Sequence, residues 1–205
     1  MRLYYHPLST NSRRVLMAAH HLDIRLDLAP VDLFKGEQNA PSFLKLNPNH
    51  RVPVLEDGGF VLWESCAIMQ FLADTVPGQT LYPTDPRSRA DVNRWLFWCA
   101  QDFMPGATIL NKENKIKALA GLGATDASEV ARGERMFRTA AEVLDRHLQG
   151  REWICDSGLS LADLAVAAPL TDAERSKMPV AGLVNLERWF RRVQALDCWK
   201  ATEAA

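Results

Sequence analysis

Val52-Pro53-Val54-Leu55-Glu56-Asp57-Gly58-Gly59-Phe60-Val61-Leu62-Trp63-Glu64-Ser65 decides the fold. Val52 to Leu55 begins a strand, and Phe60 to Trp63 returns antiparallel to it. Asp57-Gly58-Gly59 between them is a hairpin turn, because glycine permits the positive φ of a tight two-residue loop. Glu64-Ser65 then opens a helix with Ile68, Phe71 and Leu72 on one face. Upstream, Leu3-Tyr4-Tyr5 is a short strand broken by His6-Pro7-Leu8-Ser9. Ser9 to Ser12 offers N-cap candidates for a helix carrying Val15, Leu16, Ala18, Ala19 and Leu22. Ile24, Leu26 and Leu28 alternate with Arg25 and Asp27, which predicts a half-buried strand. Phe34-Lys35-Gly36-Glu37-Gln38 is a polar loop, and Phe43, Leu44 and Leu46 predict a short helix ending before Asn47-Pro48. The order β-α-β, α, β-β-α is an α/β pattern with a mixed sheet.

The texture changes downstream. Pro77-Gly78 through Pro83-Thr84-Asp85-Pro86 is rich in breakers and reads as a linker. Helical periodicity then dominates: Arg87 to about Asp102 with Val92, Trp95, Leu96 and Trp98, Ser128 to Leu148, and Asn185 to Leu196. Ser160-Leu161-Ala162-Asp163 has capping-box spacing, with aspartate in place of glutamate, ahead of an apolar helix from Leu164 to Leu170. That motif concerns folding, since it satisfies free backbone N–H groups. The reading is therefore a domain over 1–76, a linker over 77–86 and an all-helical domain over 87–205.

Composition excludes several classes. Twenty-four basic residues against 25 acidic ones leave a net charge of −1, which gives no support for nucleic acid or an anionic membrane as partner. No run approaches a membrane span and no apolar signal core follows Met1, so a cytoplasmic location is expected. Cys66, Cys99, Cys155 and Cys198 are scattered without C-x-x-C, and no Cys/His cluster has zinc spacing. No metal site is expected.

Three stretches in register carry a family resemblance: Tyr5-His6-Pro7-Leu8-Ser9-Thr10-Asn11-Ser12-Arg13-Arg14-Val15, Asn47-Pro48-Asn49-His50-Arg51-Val52-Pro53-Val54-Leu55, and Leu62-Trp63-Glu64-Ser65-Cys66-Ala67-Ile68. Together they resemble the cytosolic glutathione transferases, most of all the serine-type classes and related bacterial enzymes. The helical half and the Ser160–Asp163 box fit that family's C-terminal domain, so the resemblance spans the chain. It implies a thioredoxin-like N-terminal domain with a mixed four-stranded sheet, followed by an all-α domain.

It also implies a chemistry. Glutathione is an anionic peptide whose thiol must become a thiolate before it attacks. Its site needs a backbone edge, an anion hole and a donor to sulfur. The Val52-Pro53 bond resembles the family's cis-proline, with Val52 presenting its N–H and C=O to the cysteinyl part; a trans proline at a strand edge is the alternative. Ser65 at a helix start, with Glu64 before it, fits the γ-glutamyl carboxylate and ammonium; an ordinary N-cap serine is the alternative. Lys35, Gln38, His50 and Arg51 match variable positions able to reach the glycyl carboxylate, although Lys35 and Arg51 read equally as solvated loop residues. Ser9 falls at the catalytic hydroxyl of serine-type members, and Asn11 is a second candidate donor to sulfur. Ser9-Thr10-Asn11-Ser12 stands where redox relatives place C-x-x-C, so no dithiol chemistry on the protein's own cysteines is expected.

The implied activity is transfer of glutathione to a hydrophobic electrophile, with glutathione as co-substrate and no further cofactor. A glutathione-dependent peroxidase or disulfide reductase is the second enzymatic reading, and an isomerase or dehalogenase that returns glutathione unchanged is another. A non-catalytic interaction module is the rival from another class. Phe103, Met104 and Trp199 are candidates for the electrophile site, with core packing as the plainer alternative; Trp95 and Trp98 read as packing or dimer residues. The resemblance also implies a homodimer paired through the helices after Ser65 and Pro86, on a surface of Cys66, Met69, Gln70, Arg87, Arg89 and Asp91.

Overall fold

The computed structural model describes residues 1–203. Its chain divides into two compact units: residues 1–82 with 196–203, and residues 83–195.

The first unit is built on strands β1 (Arg2–Tyr5), β2 (Asp27–Pro30), β3 (Val54–Asp57) and β4 (Phe60–Trp63), in the order β2-β1-β3-β4. β1 pairs parallel with β2 and antiparallel with β3, and β3 pairs antiparallel with β4. The register aligns Leu28, Leu3, Leu55 and Leu62 across the sheet. Period-two alternation sends this row to one face, where Leu3 and Leu55 are fully buried. Helices α1 (Thr10–His21) and α3 (Ser65–Asp74) pack against each other and α3 lies against β3 and β4. The opposite face carries Tyr4 and Val54, which join a smaller core of Val31, Phe43, Val52, Leu46 and Val61 beneath α2 (Pro41–Leu44).

The hairpin forms as its sequence predicts: Gly58 and Gly59 both hold positive φ, 55° and 91°, the primed-turn geometry that a Cβ would disfavour. The predicted strand over 24–28 is displaced to Asp27–Pro30. The N–H of Ile24 is used to close α1 on the Ala19 carbonyl, and pairing with β1 starts only at Asp27.

The second unit contains α4 (Pro86–Trp98), α5 (Met104–Asn111), α6 (Lys117–Ala120), α7 (Ala127–His147), α8 (Leu161–Ala167) and α9 (Val184–Gln194). The helix expected to stop near Asp102 instead widens into a π turn over Cys99–Phe103 and continues. Pro105 explains the wider turn, since it has no N–H for the carbonyl four residues back and its ring crowds that carbonyl. A second π turn, Lys112–Ile116, leads into α6. Gly106 permits α5 and α7 to approach closely, for a Cβ there would lie 2.5 Å from the Phe137 nitrogen. The predicted capping box closes at α8. Asp163, fully buried, accepts from the Ser160 and Ile154 N–H groups at 3.0 and 2.9 Å and from the Trp189 indole at 2.8 Å.

The sequence reading places everything after residue 86 in the helical domain. The structure differs at the end of the chain: α10 (Asp197–Ala201) packs on α1 and belongs to the first unit. The break between units falls between Tyr82 and Pro83, inside the expected linker. Leu81 and Tyr82 are buried there, with the Tyr82 hydroxyl held by Gln70 at 2.9 Å.

Candidate functional site

The strand register gathers the predicted residues at one end of the sheet. β1 runs antiparallel to β3 with Tyr4 opposite Val54, and Val54 lies opposite Trp63 on β4. The chain leaving β1 toward Ser9, the chain entering β3 through Val52-Pro53 and the chain leaving β4 into Glu64-Ser65 therefore meet. β2 is parallel to β1, so the loop carrying Lys35 and Gln38 follows from the same end. Both α1 and α3 begin there, and each brings unpaired first-turn N–H groups and the positive end of its dipole.

The Val52-Pro53 bond is cis. Asn47, buried, shapes the approach to it by donating from Nδ2 to the Arg51 carbonyl at 2.7 Å while its Oδ1 accepts from the Asn49 N–H at 3.0 Å. Glu64, the residue before α3, has φ 74° and ψ 109°. A non-glycine residue in that region is held by its surroundings, and such positions concentrate at functional sites. Ser65 is the first residue of α3 and only 7% exposed. Its hydroxyl has no hydrogen-bond partner among the described residues, and Glu64 is exposed beside it. In the next turn of α1 the buried Arg14 guanidinium reaches the Cys66 sulfur at 3.5 Å and adds positive charge behind the start of α3.

Ser9 is the N-cap of α1: its Oγ accepts from the Ser12 N–H at 3.1 Å and its carbonyl from the Arg13 N–H at 2.9 Å. The cap uses a lone pair on Oγ and leaves the O–H free to donate. Asn11 lies half-buried in the first turn, its amide without a partner among the described residues.

The four variable positions differ. Lys35 is 78% exposed and paired with Asp32 at 3.1 Å. That lysine, with the Lys35 and Phe34 N–H groups, holds the Asp32 carboxyl below its ordinary pKa. Gln38 donates to the Leu33 carbonyl at 3.4 Å and leaves its Oε1 buried without a partner. In that orientation it presents an acceptor, and turning the amide over would present a donor instead. His50, with φ 57°, shares Nδ1 with the Asn39 Oδ1 at 2.8 Å, and Arg51 is exposed.

One contributor was not predicted. His6 Nδ1 accepts from the Leu8 N–H at 3.1 Å, and its ring meets Phe34 edge-on at 5.6 Å. It thereby ties the turn ahead of Ser9 to the loop of Lys35 and Gln38, and burial lowers its pKa. His6 has no sequence signature beyond the His-Pro turn. Trp199, expected at the electrophile site, instead packs against Arg13.

Two of the electrophile-site candidates, Phe103 and Trp199, take the alternative of core packing, while Met104 is half-buried. Phe103 is fully buried in the second unit between Trp98 and Phe137, at 5.6 and 5.0 Å, and Trp199 is 2% exposed beneath Arg13. Trp95 is buried against Trp98 and His147, which is packing. Met69 of the expected dimer surface is also fully buried, four residues past Ser65 on the inner face of α3.

The sheet order, the cis-proline edge and the helical second unit define a thioredoxin-like protein of the glutathione-transferase architecture. The N-terminal domain model of glutathione S-transferase matches residues 8–75, and the C-terminal domain model matches residues 102–197. Glutathione S-transferase D7 of Drosophila melanogaster is 29% identical over 191 residues, 92% of this chain and 82% of that protein. The structure of a delta-class glutathione transferase from Nilaparvata lugens is 33% identical with a TM-score of 0.83, covering 98% of this chain and 92% of that one. Glutathione transferase F2 from Populus trichocarpa shares the fold at a TM-score of 0.89 and 24% identity, covering 98% of this chain and 96% of that one. The chain belongs to the glutathione S-transferase family.

Proposed function

We propose that this protein is a serine-type glutathione transferase that binds glutathione at the sheet end where β1, β3 and β4 meet. Ser9 holds the thiolate for attack on a hydrophobic electrophile. Glu64 and Ser65 take the γ-glutamyl group, and the Val52 backbone ahead of Pro53 takes the cysteinyl part. Gln38, His50, Lys35 and Arg51 surround the glycyl carboxylate. The single observation that carries this reading is the convergence of two helix N-termini on the cis Val52-Pro53 edge, with the Ser65 hydroxyl uncommitted.

The chemistry follows from the cap. Ser12 N–H donates to Ser9 Oγ, which polarises the hydroxyl, and the Ser9 O–H donates in turn to sulfur. The thiol proton leaves to solvent. The thiolate forms a carbon–sulfur bond as the electrophile's leaving group departs, or as electron density moves onto an activated double bond. Donation to sulfur strengthens with negative charge, so Ser9 lowers the thiol pKa rather than merely holding the peptide.

The same reading makes the protein a homodimer and places it in the cytoplasm, where thiols stay reduced, as its four free cysteines suit. Its role there is detoxification of hydrophobic electrophiles. Phe97, 70% exposed on α4, is a better candidate for dimer contact than Met69.

Calorimetric titration with glutathione and product analysis with 1-chloro-2,4-dinitrobenzene test the proposal together. Binding with a thioether product supports it. Oxidised glutathione formed from a peroxide, with no thioether, would assign the peroxidase reading, and no glutathione binding would leave an interaction module. Light scattering at micromolar concentration should give twice the chain mass.

A further inference from the structure

The face of the sheet turned away from α1 and α3 holds a cavity of about 500 Å³, between β1, β2, β3 and the segment around α2. None of the ten residues assigned to glutathione lines it: Glu37 does, but the neighbouring Gln38 does not. Its volume is in the range of small-molecule sites.

The walls are apolar, formed by Val31, Phe43 and Leu46 with Tyr4 edge-on to Phe43 at 6.3 Å. The charged side chains of the lining, Glu37 and Glu56, are of one sign, beside the neutral hydroxyls of Tyr4 and Ser42. Glu56 Oε2 accepts from the Tyr4 hydroxyl at 2.9 Å, and Glu37 Oε2 accepts from the Asp32 N–H at 2.7 Å, which leaves the second oxygen of each carboxylate available. Among the described residues, no lysine, arginine or histidine lines the cavity. Two cations lie outside the lining: Arg2 pairs with Asp27 at 2.7 Å and also bonds the Tyr4 hydroxyl, and Lys35, paired with Asp32 at 3.1 Å, interacts with Glu37. Burial, and then the bond to Glu56, push the Tyr4 pKa up, against the opposing pull of Arg2.

We propose that this cavity is a second binding site, separate from that for glutathione, which takes small amphipathic cations: an aromatic or aliphatic body against Phe43, Val31 and Leu46, and an ammonium between Glu56 and Glu37. An anionic ligand of equal size gains the same apolar contact and meets two carboxylates, so the site discriminates by charge.

The probes are dansylcadaverine and dansylglycine, which share a fluorophore and differ in the sign of the tail. Titration is followed by fluorescence on the full chain saturated with S-hexylglutathione, which fills the proposed glutathione site. Dansylcadaverine should bind at least about tenfold more tightly than dansylglycine, by the electrostatics of a partly exposed pair of carboxylates. Glu56→Gln and Glu37→Gln each keep the existing hydrogen bond and remove the charge, and each should weaken dansylcadaverine about two- to fivefold. Ala29→Phe, which fills the cavity from the edge strand, should abolish binding of both dyes. Equal affinity for the two dyes, undiminished dansylcadaverine binding in the Glu37→Gln/Glu56→Gln double variant, or no dansylcadaverine binding to the parent chain overturns the proposal. Failure of S-hexylglutathione to bind would count against the transferase reading and leave these comparisons intact.

Discussion

The Arg13 guanidinium lies over the Trp199 ring, 3.9 Å from its centroid, and donates from Nη2 to the Trp199 carbonyl at 3.0 Å. Both residues are buried. Arg13 is one turn beyond Ser9 and donates its backbone N–H to the Ser9 carbonyl, so α10 braces the segment of α1 that begins at the proposed thiolate donor. Trp199→Ala removes a buried aromatic side chain and exposes the arginine, and should cost about 3–5 kcal/mol in urea unfolding. Trp199→Phe, which keeps a ring under the guanidinium, should lose clearly less. Equal losses would mean that bulk, rather than the cation–ring contact, fixes α10.

Ser65→Ala separates binding from stability. Its hydroxyl has no partner among the described residues, so the melting temperature should change little. Glutathione affinity should fall about 10- to 150-fold, the worth of a charge-assisted hydrogen bond. Unchanged calorimetric affinity in the folded variant would put the γ-glutamyl group elsewhere.

Ser9→Ala should do two things at once. Loss of the cap should lower stability by about 1 kcal/mol. Loss of the donor should raise the apparent thiol pKa of bound glutathione, read by ultraviolet titration of the thiolate, and slow conjugation more than it weakens binding. Asn11→Ala makes no difference to the cap and serves as the control. If Asn11→Ala abolishes the thiolate while Ser9→Ala spares it, asparagine is the activating group.

Asp163 gives stability a pH dependence. Burial raises its pKa to about 6 from an ordinary 3.8, against the opposing pull of the Ile154, Trp189 and Ser160 donors. The folded state then binds the proton more tightly than the unfolded one. This contribution is fully present below the unfolded value, and it is lost as pH rises through about 6. Asp163→Asn should flatten unfolding free energy between pH 4 and 7, whereas Asp163→Ala should destabilise by several kcal/mol at every pH, because the buried Trp189 indole and two N–H groups lose their acceptor (roughly 1–3 kcal/mol each).

What was legible in the sequence is what local chemistry decides. Gly58-Gly59, Val52-Pro53 and the Ser160–Asp163 box each impose their geometry on a few neighbouring atoms, and each appears as expected. Ser9, Val52 and Ser65 could be named as a set because of the family resemblance, while their meeting depends on strand register. Features settled by distant partners were not readable. β2 is an edge strand with Leu28 44% exposed, so alternation alone cannot fix its start; pairing with Arg2 does. Met69 reads as amphipathic surface until the neighbours of α3 are known. Arg13, in the first turns of a helix, looks like a solvated cation, and the return of Trp199 from 186 residues away is what no local pattern announces.

That return has a consequence for synthesis on the ribosome. A chain emerging from its N-terminus offers β1, α1 and the β3–β4 hairpin early, yet the piece that covers Arg13 is made only after all of residues 83–195. The nascent first unit therefore lacks the Trp199 ring and carbonyl against Arg13 while the helical unit is translated, and it gains them only when α10 is free to pack on α1.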